Sequence, residues 1–164
     1  MKFKNVLGIA LSAMMFITSC KKDSGPGEVV TPGTGAKKVS AKVDGAAFKA
    51  TSTAALVGGT PVSFTITATD GNERTIIIAA PAKQGTFSST TNSETAGTWI
   101  DQNGGLFMST FGSSTATVTV TKFDAAAKKI SGTFSFTADA VGTSGAEGSK
   151  TVTEGTFTDV PYIQ

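Results

Sequence analysis

The chain contains no histidine and only one cysteine in 164 residues. The first absence removes the side chain that most often serves as general base, and with it the Ser-His-Asp triad and most zinc sites. The second removes disulfides, thiolate clusters and any Cys-His pair. No apolar run exceeds the stretch Val6 to Ile17. As a helix of about 12 residues it spans only about 18 Å, short of a ~30 Å hydrocarbon core. No Walker loop or dinucleotide fingerprint is present, so phosphate-cradling glycine loops are excluded too. The formal charge of +2 includes Lys2 and Lys4. If these leave with a signal peptide the charge falls to zero, which gives no electrostatic footprint for nucleic acid.

What is there begins with location. Lys2 and Lys4 form a positive n-region, Val6 to Ile17 an uncharged h-region, and Ser19 a small residue before the cysteine. That order predicts a cleaved export signal over residues 1–19. Ile17-Thr18-Ser19-Cys20 resembles the bacterial lipobox. The resemblance implies cleavage between Ser19 and Cys20, thioether-linked diacylglycerol on the thiol and an acylated amine. Two or more acyl chains suffice for stable anchoring. Cys20-Lys21-Lys22-Asp23 resembles the surface-export signal of Bacteroidota lipoproteins, with Lys22 standing where that signal carries an acid. It implies the outer membrane, facing outward, with periplasm-facing attachment as the alternative.

Residues 20–38 are rich in glycine, proline and lysine and read as a flexible linker. Residues 39–164 read as one monomeric all-β domain. Val39, Ala41 and Val43 alternate with polar residues, and Asp44-Gly45 suits a two-residue type I′ turn before Ala46, Phe48 and Ala50. Val62, Phe64, Ile66 and Ala68 form the next apolar face. Ile76-Ile77-Ile78 predicts a strand covered on both sides. Leu106 and Met108 are expected to face the core, with Phe107, Phe111 and Phe123 opposite. Ala116, Val118 and Val120 alternate with threonines, as do Ile130, Phe134 and Phe136 with serine and threonine. Asp124 to Lys129 joins these two strands with room for one helical turn at most, and Asp139 to Ser149 reads as a mobile loop. The pattern predicts nine or ten short antiparallel strands in a β-sandwich, with a closed up-and-down barrel as the alternative.

Val43-Asp44-Gly45-Ala46-Ala47-Phe48, Thr121-Lys122-Phe123-Asp124, Ile130 to Phe136 and Gly155-Thr156-Phe157 resemble an uncharacterised domain family of Bacteroidota lipoproteins. The resemblance covers most of residues 39–160. It implies fold and location and carries no site residues.

Candidate chemistry reduces to carboxylates and aromatics. Asp44, Asp70, Asp101 and Asp124 sit at predicted turns, where Asp caps the local backbone. Asp101-Gln102-Asn103-Gly104 resembles the start of a calcium loop without its later acids, so no metal or cofactor is expected. Gly-Thr-Phe recurs at residues 85, 132 and 155. It reads as a strand in which glycine marks a bulge or close approach and phenylalanine enters the core. Trp99, Phe107 and Phe111 around Asn103-Gly104-Gly105 are the candidate contact site for an envelope protein or a glycan, and Trp99 and Tyr162 could stack on a sugar, with packing inside a strand buried on both faces as the alternative. The expected function is therefore binding without catalysis, by a body held to the membrane through Cys20. A small-ligand carrier and a two-carboxylate glycan hydrolase are the alternatives.

Cys20→Ser should abolish incorporation of labelled palmitate and leave the precursor uncleaved. Wild-type protein recovered entirely in the soluble fraction would overturn the anchor.

Overall fold

A computed structural model describes residues 38–164; Ser19, Cys20 and the rest of the signal and linker lie outside the described residues. Ten strands follow in order: β1 Val39–Val43, β2 Ala46–Gly58, β3 Ser63–Asp70, β4 Thr75–Pro81, β5 Gly85–Ser88, β6 Ala96–Ile100, β7 Leu106–Met108, β8 Ala116–Asp124, β9 Lys129–Ala140 and β10 Ser149–Pro161. All pairings between them are antiparallel, within one hydrogen-bonded sheet of order β10-β1-β2-β3-β4-β6-β7-β9-β8-β5. The all-β antiparallel expectation holds. β10 also pairs with β9, so neighbours can be followed from β10 through β1, β2, β3, β4, β6 and β7 to β9 and back. The sheet folds over its own apolar face. Phe64 on β3 meets Phe157 on β10 with ring centroids 5.9 Å apart, though neither strand neighbours the other.

Local chemistry accounts for the hairpins. Asp44 and Gly45 both have positive φ, at 49° and 81°, as a type I′ turn requires. Period-2 alternation puts Val118 and Val120, and Ile130, Phe134 and Phe136, inside, with Thr117, Thr133, Ser135 and Thr137 outside. β9 and β10 align two copies of Gly-Thr-Phe head to tail: Gly155 opposes Phe134, Thr156 opposes Thr133, and Phe157 opposes Gly132. Each phenylalanine covers the glycine of the other strand. A Cβ on Gly132 would lie 2.1 Å from the Thr119 carbonyl oxygen and 2.5 Å from the Phe157 ring. One on Gly155 would lie 2.4 Å from the Phe134 carbonyl oxygen. In the first copy, the Phe87 ring lies over Gly85 of its own strand. The reading of the repeat as a packing device is thus the one the geometry supports.

Five local expectations are corrected. Phe107, not Leu106 and Met108, faces the core: a three-residue strand offers one inward position, and pairing with Trp99 gives it to Phe107. Val62 precedes β3 in the turn and is 56% exposed, and Ala46 is exposed at the start of β2. Ile77 is half-buried while Ile76 and Ile78 are buried, so β4 is fully covered on one face only. The connection at residues 141–148 is tied down, because the Ser144 hydroxyl donates to the Val141 carbonyl at 2.7 Å and accepts from the Leu106 N–H at 3.1 Å. At Ala125–Lys128 the chain makes a turn capped by Asp124 and no helix.

Gly132→Ala should lower unfolding free energy by about 2 kcal/mol or more, because backbone as well as side chain obstructs the new methyl. Gly58→Ala, with open space around it and no positive φ, should change it by under about 0.5 kcal/mol. Denaturant melts that rank the two equally would contradict the β9–β10 packing.

Candidate functional site

The chain enters the described fold beside β10. The Lys38 carbonyl accepts from the Thr158 N–H, and its ammonium donates to the Asp159 carbonyl at 2.6 Å.

Of the three aromatics expected to form a contact site, two point inward. Trp99 and Phe107 are direct cross-strand partners and each is 3% exposed. The Phe48 ring meets Trp99 edge-on at 5.9 Å, and the Arg74 guanidinium lies 5.8 Å from the Trp99 ring centre. Cross-strand partners share a face, so the strand that buries Trp99 buries Phe107 with it. Phe111 alone of the three is exposed, at 46%. Tyr162 is buried as well and stacks on half-buried Phe123 at 5.4 Å. Neither Trp99 nor Tyr162 offers a face to a sugar.

The four aspartates serve their turns. Asp44 Oδ1 accepts from the Thr151 N–H, and Oδ2 pairs with Lys150 at 2.9 Å, locking the β1–β2 turn to β10. Asp101 Oδ1 accepts from the N–H groups of Asn103 and Gly105, and Asp124 Oδ1 from that of Ala127. Asp70 is the most committed. Its Oδ1 accepts the N–H groups of Asn72 and Arg74, and Oδ2 takes Arg74 Nε at 2.8 Å and Nη2 at 2.6 Å. Burial alone would push this carboxyl up; the Arg74 guanidinium and the two backbone N–H groups outweigh it and hold it below the ordinary range. Among the described residues, no three His, Cys, Asp or Glu side chains group as metal ligands.

A surface that the sequence reading did not single out lies on the outer face of β8, β9 and β10. Register brings Thr86, Thr119, Thr133, Thr156 and Ser40 into one rank across five strands. Thr86 pairs with Thr119, and Ser40 with Thr156, through hydroxyl contacts of 3.0 Å. Between these pairs Thr133 faces solvent, as do Thr117 and Ser135 in the next rank. The β-bulge between Val152 and Gly155, where Glu154 takes φ 51°, bends β10 there. A trough of about 470 Å³ results, lined by Thr117, Thr119, Thr133, Ser135, Glu154 and Thr156 among others. A second hollow of about 210 Å³ adjoins it and shares Thr117 and Ser135. The carboxylate in the trough, Glu154, is neutralised by Lys42 at 2.8 Å. The surface is thus neutral and hydroxyl-lined, its side chains carried on strands about 5 Å apart and repeating about every 7 Å along each strand. The alternating Thr-x-Thr and Thr-x-Ser-x-Thr runs are the signal that could have found it, once the strands carrying them were known to be neighbours.

The family profile described as Domain of unknown function (DUF6252) matches residues 36–161. No curated protein matches the chain, and no solved structure does.

Trp99→Ala should cost about 3–5 kcal/mol of stability, as removal of a buried aromatic does; a melting temperature left unchanged would contradict its inward placement. Asp70→Asn should cost about 1–3 kcal/mol at neutral pH. Because the folded-state carboxyl is depressed, its contribution is present above about pH 4 and is lost as pH falls through the folded value. The variant's stability should therefore fall less steeply on acidification than the wild type's.

Proposed function

The chain belongs to the DUF6252 family, and from that premise we propose that it is a lipid-anchored envelope protein whose β-domain binds a glycan without turning it over. The anchor rests on Ile17-Thr18-Ser19-Cys20 and on the lone thiol standing where the signal ends. Attachment to the outer membrane, facing outward, rests on Cys20-Lys21-Lys22-Asp23.

The observation that carries the binding reading is the neutral, hydroxyl-lined trough over β8, β9 and β10. A threonine or serine hydroxyl both donates and accepts. A periodic grid of them suits a ligand that does the same at regular intervals, as a linear neutral polysaccharide does. A charged ligand would meet no unpaired opposite charge there, since Glu154 already pairs with Lys42. Hydrolysis is disfavoured because Asp44, Asp70, Asp101 and Asp124 are each bonded into a turn. A carrier role has less support, since the interior holds Phe134 with the Phe136 and Phe157 rings each 6.4 Å from it, centre to centre. A protein partner is the second reading, favoured by Phe111, exposed beside half-buried Met108.

An array of neutral linear polysaccharides probed with the protein tests this. Capture should weaken about fivefold to thirtyfold for Thr133→Val, the loss of one or two hydrogen bonds of about 1 kcal/mol each, with melting temperature unchanged. Capture of no polysaccharide, or capture indifferent to Thr117→Val, Thr133→Val and Ser135→Ala together, would overturn the glycan reading. Loss of binding to a protein on Phe111→Ser would support the second.

A further inference from the structure

The two ends of the sheet differ in charge and in apolarity. One end carries the β1–β2, β3–β4, β6–β7 and β9–β10 connections. Among the described residues it holds Asp44, Asp70, Glu73, Asp101, Asp139 and Glu147 against Lys42, Arg74 and Lys150. The opposite end carries the β2–β3, β4–β5 and β8–β9 connections and the C-terminal residues. It holds Lys38, Lys83, Lys122, Lys128 and Lys129 against only Asp124 and Asp159. Both acids there face Lys122, at 3.7 and 3.8 Å, which leaves Lys83, Lys128 and Lys129 exposed and outside those contacts.

Among the described residues, three of the four exposed large hydrophobic side chains lie at this same basic end: Leu56 at 54%, Val62 at 56% and Ile163 at 43%. Backbone bonds hold them beside the lysines. The Tyr162 N–H donates to the Lys128 carbonyl, Ile163 bonds to Ala55 and Val57 on either side of Leu56, and the Ala82 N–H donates to the Val62 carbonyl next to Lys83. The chain also enters the fold at this end, through Lys38 on Thr158 and Asp159.

We infer that this end of the domain docks onto an anionic, phosphate-bearing lipid surface, the apolar side chains entering the head-group boundary and the lysines meeting phosphates. The inference rests on the tether reading, because residues 20–38 would bring the chain from the membrane to this end. Apolar projections ringed by lysine suit an interface of anionic head groups over hydrocarbon. The acidic end then faces away from the membrane, and the strands stand across its plane. The hydroxyl-lined trough, on the side of the sheet, stays open to solvent.

The test uses the full lipidated chain reconstituted in vesicles of phosphatidylglycerol and phosphatidylethanolamine. Single probes are placed at Val62→Cys and, at the acidic end, Asn72→Cys, and fluorescence quenching by head-group-depth nitroxide lipids is read. Val62 should be quenched severalfold more than Asn72. In Lys128→Glu/Lys129→Glu the difference should shrink markedly, since each lysine near an anionic surface contributes about a fivefold factor, and 1 M salt should act likewise. Equal quenching at the two sites, or a Val62 signal indifferent to charge reversal and to salt, would overturn the docking while the protein still sediments with the vesicles. Protein that does not sediment with the vesicles at all would overturn the tether and the docking together. Ile163→Cys, outside the strands, gives a second probe should Val62→Cys disturb its turn.

Discussion

The antiparallel pairing of β9 with β10 joins the last strand to its predecessor and sets which side chains enter the core on both. It brings two Gly-Thr-Phe segments into antiparallel register so that each phenylalanine lies over the glycine opposite. The missing side chains at Gly132 and Gly155 are what allow the two rings to lie within the sheet's concave face at full burial. Burying an aromatic ring of this size contributes roughly 1.5–3 kcal/mol, and here two rings are buried at the cost of two glycines in strands. The same pairing connects the last strand to the one before it while β1 takes the other edge of β10, so it joins the start of the domain to its end.

That register also decides what the outer face presents. With phenylalanine and glycine inside, Thr133 and Thr156 must stand opposite one another outside, and the flanking pairings extend the rank to Thr119, Thr86 and Ser40. A slip of one residue would send the hydroxyls inward and the rings to solvent. Core packing and the candidate binding surface are therefore two faces of one alignment. The bulges of β10, at Glu154 and Asp159 with φ near 50°, curve the surface without disturbing the inward positions on either side.

Charge follows the connections. The turns at one end are built by aspartates because their carboxylates accept adjacent backbone N–H groups, and this end becomes acidic as a by-product of turn chemistry. The other end has Asp124 as its capping carboxylate and otherwise closes its turns with glycine, proline, alanine and lysine, and it remains basic. A net charge near zero thus conceals a separation along the strands, and an anchored domain with such a separation has a preferred way to stand on an anionic surface.

Residue order alone is enough for the all-β class, the Asp44-Gly45 turn, the inward faces of β8 and β9 and the turn roles of four aspartates. Each of these is local: alternation of period 2 and the φ preferences of Asp and Gly act over a few residues. The lack of histidine and the placement of Cys20 are likewise legible without coordinates. Tertiary structure alone decided that Trp99 and Phe107 are core, since β7 is too short for its alternation to name a face and the pairing with β6 had to choose. It alone assembled the hydroxyl ranks and gathered Leu56, Val62 and Ile163 with the lysines, because those residues come from segments far apart in the chain. Ser40 meets Thr156, and Leu56 meets Ile163, only through pairings between the beginning and the end of the domain, and a one-dimensional pattern carries no information about which distant strands become neighbours.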